Sequence, residues 1–203
     1  MKERQIHLFF KVLDEELKAQ AEVILIGASA GSLMGNVRPS FDIDFEIRLK
    51  TDVAPDVKGK LEGAVLKASQ IAGVATNYSE NIGGWSRINY LDYRKTAKLY
   101  RKIGKLNIKI VAPAYWTIGK MARFLELDVQ DMRKIIRAQK IEPNLLIRIW
   151  AKAVRASDLS LELGQFRDHV FYFLKTYGKS LWGSAFDSNK AILDFKKQAR
   201  IEV

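Results

Sequence analysis

Asp42 and Asp44, in the run Ser40-Phe41-Asp42-Ile43-Asp44-Phe45-Glu46, are the residues of this 203-residue chain best placed for chemistry. Acids alternate there with Ile43, Phe45 and Ile47, which predicts a half-buried strand over 42–49. Side chains two apart on a strand share a face, so both carboxylates project together. Like charges side by side repel, and a hard divalent cation relieves that repulsion. Mg2+ in particular takes one or two carboxylates together with phosphate oxygens. Upstream, an apolar segment runs into Gly27, and Ala28-Ser29-Ala30-Gly31-Ser32 then opens a short helix. Backbone N–H groups at such a start cradle phosphate, helped by the helix dipole, and glycine permits close approach. Gly27, Ser29 and Ser32 are therefore candidate phosphate ligands. Taken alone, each pattern is ordinary: alternation marks any half-buried strand, and most Gly-Ser turns merely turn. Their order, a phosphate cradle followed by a carboxylate pair, is what metal-assisted phosphoryl or nucleotidyl transfer needs.

The elements that must position these residues are also legible. Residues 4–20 predict an amphipathic helix with Ile6, Phe9, Phe10, Leu13 and Leu17 on one side. A short buried strand is expected over 22–26 and a second helix over 58–72. Strands are expected at 85–93, 97–103 and 105–111, the last two joined as a hairpin across Gly104. Beyond Pro113 the pattern is helical to the end, with breaks near Asp128, at Glu142–Pro143, over 157–160 and over 178–188. The expected fold class is α/β (α+β): a small mixed sheet with helices over 1–112, and a C-terminal helical region over 113–203 packed on it.

Composition narrows the chemistry. With no cysteine, disulfides, thiolate metal sites and a Cys nucleophile are excluded. Two histidines, His7 and His169, far apart in sequence, argue against a His-rich zinc site. No apolar run approaches the ~20 residues of a membrane span, and the N-terminal residues lack the pattern of a signal peptide. A cytoplasmic protein that does not enter a membrane is expected. Lys and Arg number 34 against 23 acids, for a net charge of +11. Between Tyr93 and Leu125 there is no acid but there are nine bases, from Arg94 to Arg123. Such a field attracts polyanions, nucleic acid and nucleoside triphosphates among them.

The hydrophobic strand, Gly-containing turn and later Asp-hydrophobic-Asp resemble the DNA polymerase β-type nucleotidyltransferase superfamily. Two blocks, RPSFDIDFE and the later VAP–GKMARFLELDVQD stretch, resemble bacterial AbiEii-like and related toxin-antitoxin proteins. The matching positions are Arg38, Ser40, Asp42 and Asp44, then Pro113, Lys120, Asp128 and Asp131. The resemblance implies a two-metal transferase with Asp42 and Asp44 holding Mg2+ or Mn2+ and an NTP as substrate. It also implies Lys120 as a neutraliser of phosphate charge. In that family a third carboxylate on a later central strand completes the metal site. Here the expected position carries Asn107, which offers an oxygen but no charge; Glu46 and Asp92 are the other candidates. Gly27 is followed by Ala28, a mild departure from the family turn.

The leading expectation is thus transfer of an NMP to a hydroxyl of RNA or protein, with the basic stretch and Tyr90, Tyr93 and Tyr100 suiting a tRNA-like acceptor. The rival is a catalytically weakened module that binds nucleotide or nucleic acid on the same fold, which Asn107 favours. A third is an adaptor whose aromatic segment 166–182 forms a groove for a partner protein, although such a segment, His169 included, is more often core.

Overall fold

The computed structural model describes residues 3–35, 38, 40–50 and 55–201. The fold is mixed α/β, a sheet with helices followed by a run of C-terminal helices. It divides into two compact units, Met1–Ile82 with Arg94–Val111, and Gly83–Tyr93 with Ala112–Val203. Residues 83–93 fall with the helical unit.

The first unit starts with helix α1 (Glu3–Leu17), whose residues Ile6, Phe9, Phe10, Leu13 and Leu17 are buried as the 3.6-residue period predicts. Strand β1 (Ala21–Leu25) leads into helix α2 (Gly27–Gly35), followed by β2 (Asp42–Leu49), helix α3 (Pro55–Ala72) and β3 (Ala75–Ser79). A 3-10 turn (Ile82–Trp85), the short helix α4 (Tyr93–Thr96) and the hairpin β4 (Lys98–Ile103) and β5 (Leu106–Ile110) follow. The sheet order is β3-β2-β1-β5-β4, with β1 antiparallel to β2 and parallel to β5, and β2 parallel to β3.

Alternation gives this sheet two unlike faces. Val23, Ile43, Phe45, Ile47 and Ile108 are buried on one. Phe45 lies edge-on to Phe9 and Phe10, with centroids 5.6 and 5.7 Å apart, and stacks on Tyr78 at 5.6 Å. Aromatic contacts of this kind are worth about 0.5–1.5 kcal/mol each beyond area burial, so α1 is anchored on the strand that carries Asp42 and Asp44. At Gly104 (φ 51°) the hairpin turns in the left-handed region. A Cβ there would lie 1.8 Å from the Asp14 carboxylate, which instead accepts the Lys105 amide at 2.7 Å.

Two expectations fail here. The strand expected over 85–93 is a 3-10 turn followed by irregular backbone, and the ladder is instead supplied by β3, which no sequence signal had marked. The second follows from the first: Asp92, proposed as a metal ligand on a neighbouring strand, is not on a strand.

The second unit consists of α5 (Pro113–Arg123), α6 (Glu126–Ala138), α7 (Pro143–Ala156), α8 (Leu161–Trp182) and α9 (Ser188–Ala199). Pro113 and Pro143 occupy first turns, where a missing N–H costs nothing. The break expected near Asp128 occurs at Phe124, which caps α5 in the left-handed conformation. Trp150, Phe166, Phe173 and Phe195 are fully buried, and the Trp150 indole donates to Thr117 at 2.9 Å. Within the aromatic segment 166–182, Phe166, Val170, Phe173 and Leu174 are core while Tyr172 is exposed, and His169 packs against Phe124 while contacting the Met121 carbonyl at 2.9 Å. Among the described residues no helix is long and apolar enough to cross a membrane.

Candidate nucleotide and metal site

Asp42 and Asp44 open β2 on the polar face of the sheet, both half-buried. The backbone places them firmly. Ile26, the last residue before α2, donates its amide to the Asp44 carbonyl at 3.0 Å, tying the start of the helix to the strand. Gly27 then adopts φ 60°, and a Cβ built on it would lie 1.8 Å from Asp44 Oδ2. Only glycine fits that position, on both conformational and steric grounds. The Asp44 carboxylate consequently lies against the first residue of a helix, where first-turn N–H groups lack intrahelical acceptors and the dipole favours anions.

Three further residues lie in the elements around the pair. Ser40 is buried, with its Oγ 2.7 Å from the Asp42 carbonyl and 3.0 Å from Asp42 Oδ1. Arg38 lies in the bend just before it. The third residue is Asn77. It is the β3 partner of Asp44 in the ladder, and its Nδ2 donates to Asp42 Oδ2 and Asp44 Oδ1, both at 2.9 Å. Sequence reasoning missed Asn77 because β3 reads ATNYS, too short and polar to stand out.

Farther along the same face the charges are matched internally. Glu46 is fully buried; it accepts Arg94 Nε at 2.7 Å, Arg94 Nη2 at 3.0 Å and the Ile82 amide at 3.2 Å, and Arg48 Nε lies 3.2 Å away. Arg48 also bonds Glu22 at 2.8 Å, and Glu22 in turn pairs with Lys109. Burial alone would raise the Glu22 pKa, but Lys109 and Arg48 hold it below the ordinary carboxylate value.

These contacts settle several sequence expectations. Glu46, a candidate third ligand, is occupied by guanidinium groups in the interior of the sheet. Asn107 on β5 pairs with Glu22 on β1, and Glu22 pairs with Arg48 on β2. That register puts Asn107 two strands away from β2 and level with a position four residues past Asp44, on the order of 15 Å from the aspartates. Neither residue completes a site at Asp42 and Asp44; the residue that faces them is Asn77. Ser29 is fully buried and donates its hydroxyl to the Ile26 carbonyl at 3.0 Å, so it braces the turn and aims no donor outward. Ser32 is half-buried inside α2.

Lys120 also differs from expectation. It is buried in the helical unit, and its ammonium bridges Asp128 Oδ1 and Asp131 Oδ2, each at 2.8 Å, above the Trp116 ring. Arg123 adds two bonds to Asp128, at 3.1 and 2.8 Å. Burial would raise the Asp128 pKa, but Arg123 and Lys120 hold it below its ordinary value. The basic stretch is thinned in the same way: Arg94, Lys109, Lys120 and Arg123 all pair with acids, while Lys98 and Lys102 on the hairpin are exposed.

Among the described residues no group of three or more His, Cys, Asp or Glu side chains converges as a metal site. The donor set at the head of β2 is two carboxylates plus an amide. That set suits a hard cation that keeps waters and phosphate oxygens in its shell, as Mg2+ does, and is unsuited to zinc. Comparison with protein-family models, with curated proteins and with solved structures finds no match for this chain.

Proposed function

We propose that this chain is a Mg2+-dependent nucleotidyltransferase that moves an NMP from an NTP to a hydroxyl of RNA or protein, breaking the α–β phosphoanhydride and releasing pyrophosphate. The observation that carries the reading is the contact between Gly27 and Asp44, a left-handed glycine at a helix start pressed against one of two adjacent carboxylates. Gly27 keeps the wall of the site at backbone thickness, so a phosphate group can reach the first-turn N–H groups of α2. Asp42 and Asp44 would hold the cation, Mg2+ or Mn2+, whose contribution is charge neutralisation on the triphosphate and activation of the acceptor hydroxyl. Asn77 and Ser40 fix the orientation of the two carboxylates. Ser29 holds the turn in shape from below. The exposed Lys98 and Lys102 on the β4–β5 hairpin offer phosphate contacts to an RNA acceptor.

The test is label transfer. Each NTP, labelled at the α-phosphorus, is incubated with Mg2+ and either RNA or protein extract. Label should move to a macromolecule with the wild type and fail to move with Asp44→Asn. Equal transfer by Asp44→Asn would refute the proposal, as would label that moves from a γ-labelled NTP and not from an α-labelled one.

One observation favours a second reading, a nucleotide- or nucleic-acid-binding module without turnover. Asn77 faces the aspartates where a transferase would gain from a third negative charge. On this reading, NTP or RNA binds and no label moves.

A further inference from the structure

The amide of Asn77 has two N–H bonds on one nitrogen, and that nitrogen stands 2.9 Å from an oxygen of each aspartate. A single neutral group therefore joins Asp42 to Asp44 from the neighbouring strand. The ladder fixes this geometry, because Asp42 pairs with Ala75 and Asp44 with Asn77. The Ala75 side chain can neither donate nor ligate, so Asn77 is the β3 group that reaches the pair.

Two divalent cations about 3.5–4 Å apart are held by carboxylates that bridge or flank them, and their mutual repulsion must be offset by those negative charges. Asp42 and Asp44 supply two. Glu46, next on the same face, is held by Arg94 and Arg48 in the interior. From β3, Asn77 faces the pair with an oxygen and a nitrogen but no charge. A half-turn of its carboxamide exchanges Nδ2 for Oδ1 and changes the group from a donor to the carboxylates into a neutral oxygen ligand.

We infer that Asn77 limits this site to one divalent cation, its amide bridging the aspartates when no cation is bound and turning its oxygen inward when one is. This rests on the reading of Asp42 and Asp44 as the cation ligands. Asn77 is accordingly a positioning residue that sets how many ions the carboxylates hold. With one ion at the aspartates, that ion alone would serve both the triphosphate and the acceptor hydroxyl, and turnover would be slow.

Counting Mn2+ by the loss of its free electron-paramagnetic-resonance signal tests this without any assay of activity. The wild type should bind one tight Mn2+ per chain, Asp44→Asn none, and Asn77→Asp two. Two tight ions on the wild type would overturn the inference while leaving the aspartates as ligands, and that count stands even if Asn77→Asp fails to fold. One ion on a folded Asn77→Asp variant would also overturn it. An ion count unchanged by Asp44→Asn would remove the underlying reading, and the inference with it.

Discussion

Two pairs of aspartates in this molecule are each joined by a single nitrogen, and the two nitrogens differ in charge. In the helical unit the Lys120 ammonium lies 2.8 Å from both Asp128 and Asp131, with all three side chains buried. In the sheet unit the Asn77 amide lies 2.9 Å from both Asp42 and Asp44, which are half-buried. The ammonium cancels one of the charges it joins, and with Arg123 it completes a closed ion cluster. The amide orients its carboxylates and cancels nothing. A buried cation partner is what a structural pair requires, because desolvated charge is costly unless matched. A neutral partner at a half-buried face keeps two acids close together, an arrangement suited to receiving a cation from solution.

The largest expected effect tests the structural half of this contrast. Lys120→Met leaves two carboxylates buried without their ammonium and should cost about 3–5 kcal/mol, measured by urea denaturation. Replacing Lys120, Asp128 and Asp131 together by apolar residues of similar size should recover most of that loss. If Lys120→Met proves nearly neutral, the cluster is not the structural lock described.

Next is Gly27→Ala. It forces a left-handed alanine and pushes a methyl into the Asp44 carboxylate, at a cost of about 1–3 kcal/mol. Stabilisation by NTP should be lost along with it. Retained nucleotide stabilisation would separate the glycine from the site.

Acid sharpens the comparison further. The Asp128 pKa is held below its ordinary value in the folded chain, so its contribution to stability is present above the unfolded value of about 3.9. That contribution is lost as pH falls through the depressed folded value. Acid denaturation below about pH 4 should therefore be blunted in Asp128→Asn relative to wild type, although the variant starts less stable.

The smallest effect belongs to the amide. Asn77→Leu removes two exposed hydrogen bonds and should cost about 1 kcal/mol. A cost as large as that of Lys120→Met would make the two pairs equivalent and end the contrast.

Much of this was legible in the sequence, for identifiable reasons. Asp42–Leu49 is read to the residue because its period of two reflects one buried and one polar face. Gly27 is read correctly as the turn into a helix. The strand that carries Asn77 is not legible: in β3 the residues packing toward the core are Thr76 and Tyr78, and neither is strongly apolar. The expected third position fell on Asn107 because the resemblance puts the third carboxylate on a later central strand, and LNIKI on β5 reads as that strand. The fate of Glu46 was equally hidden, because its partner Arg94 is 48 positions away and joins it only through the fold. Lys120 with Asp128 and Asp131 illustrates the same difficulty: residue types that suit phosphate chemistry also suit a buried ion cluster.

The most direct test of the central claim, that Asp42 and Asp44 hold a cation and nucleotide against Gly27, is thermal stabilisation by each of the four NTPs with and without Mg2+. A ligand at 100 times its dissociation constant adds about 2.7 kcal/mol, a readily measured shift. The account predicts stabilisation by at least one NTP that requires Mg2+ and disappears in the Asp42→Asn/Asp44→Asn double variant. Equal stabilisation of the double variant, or none by any NTP, would contradict it.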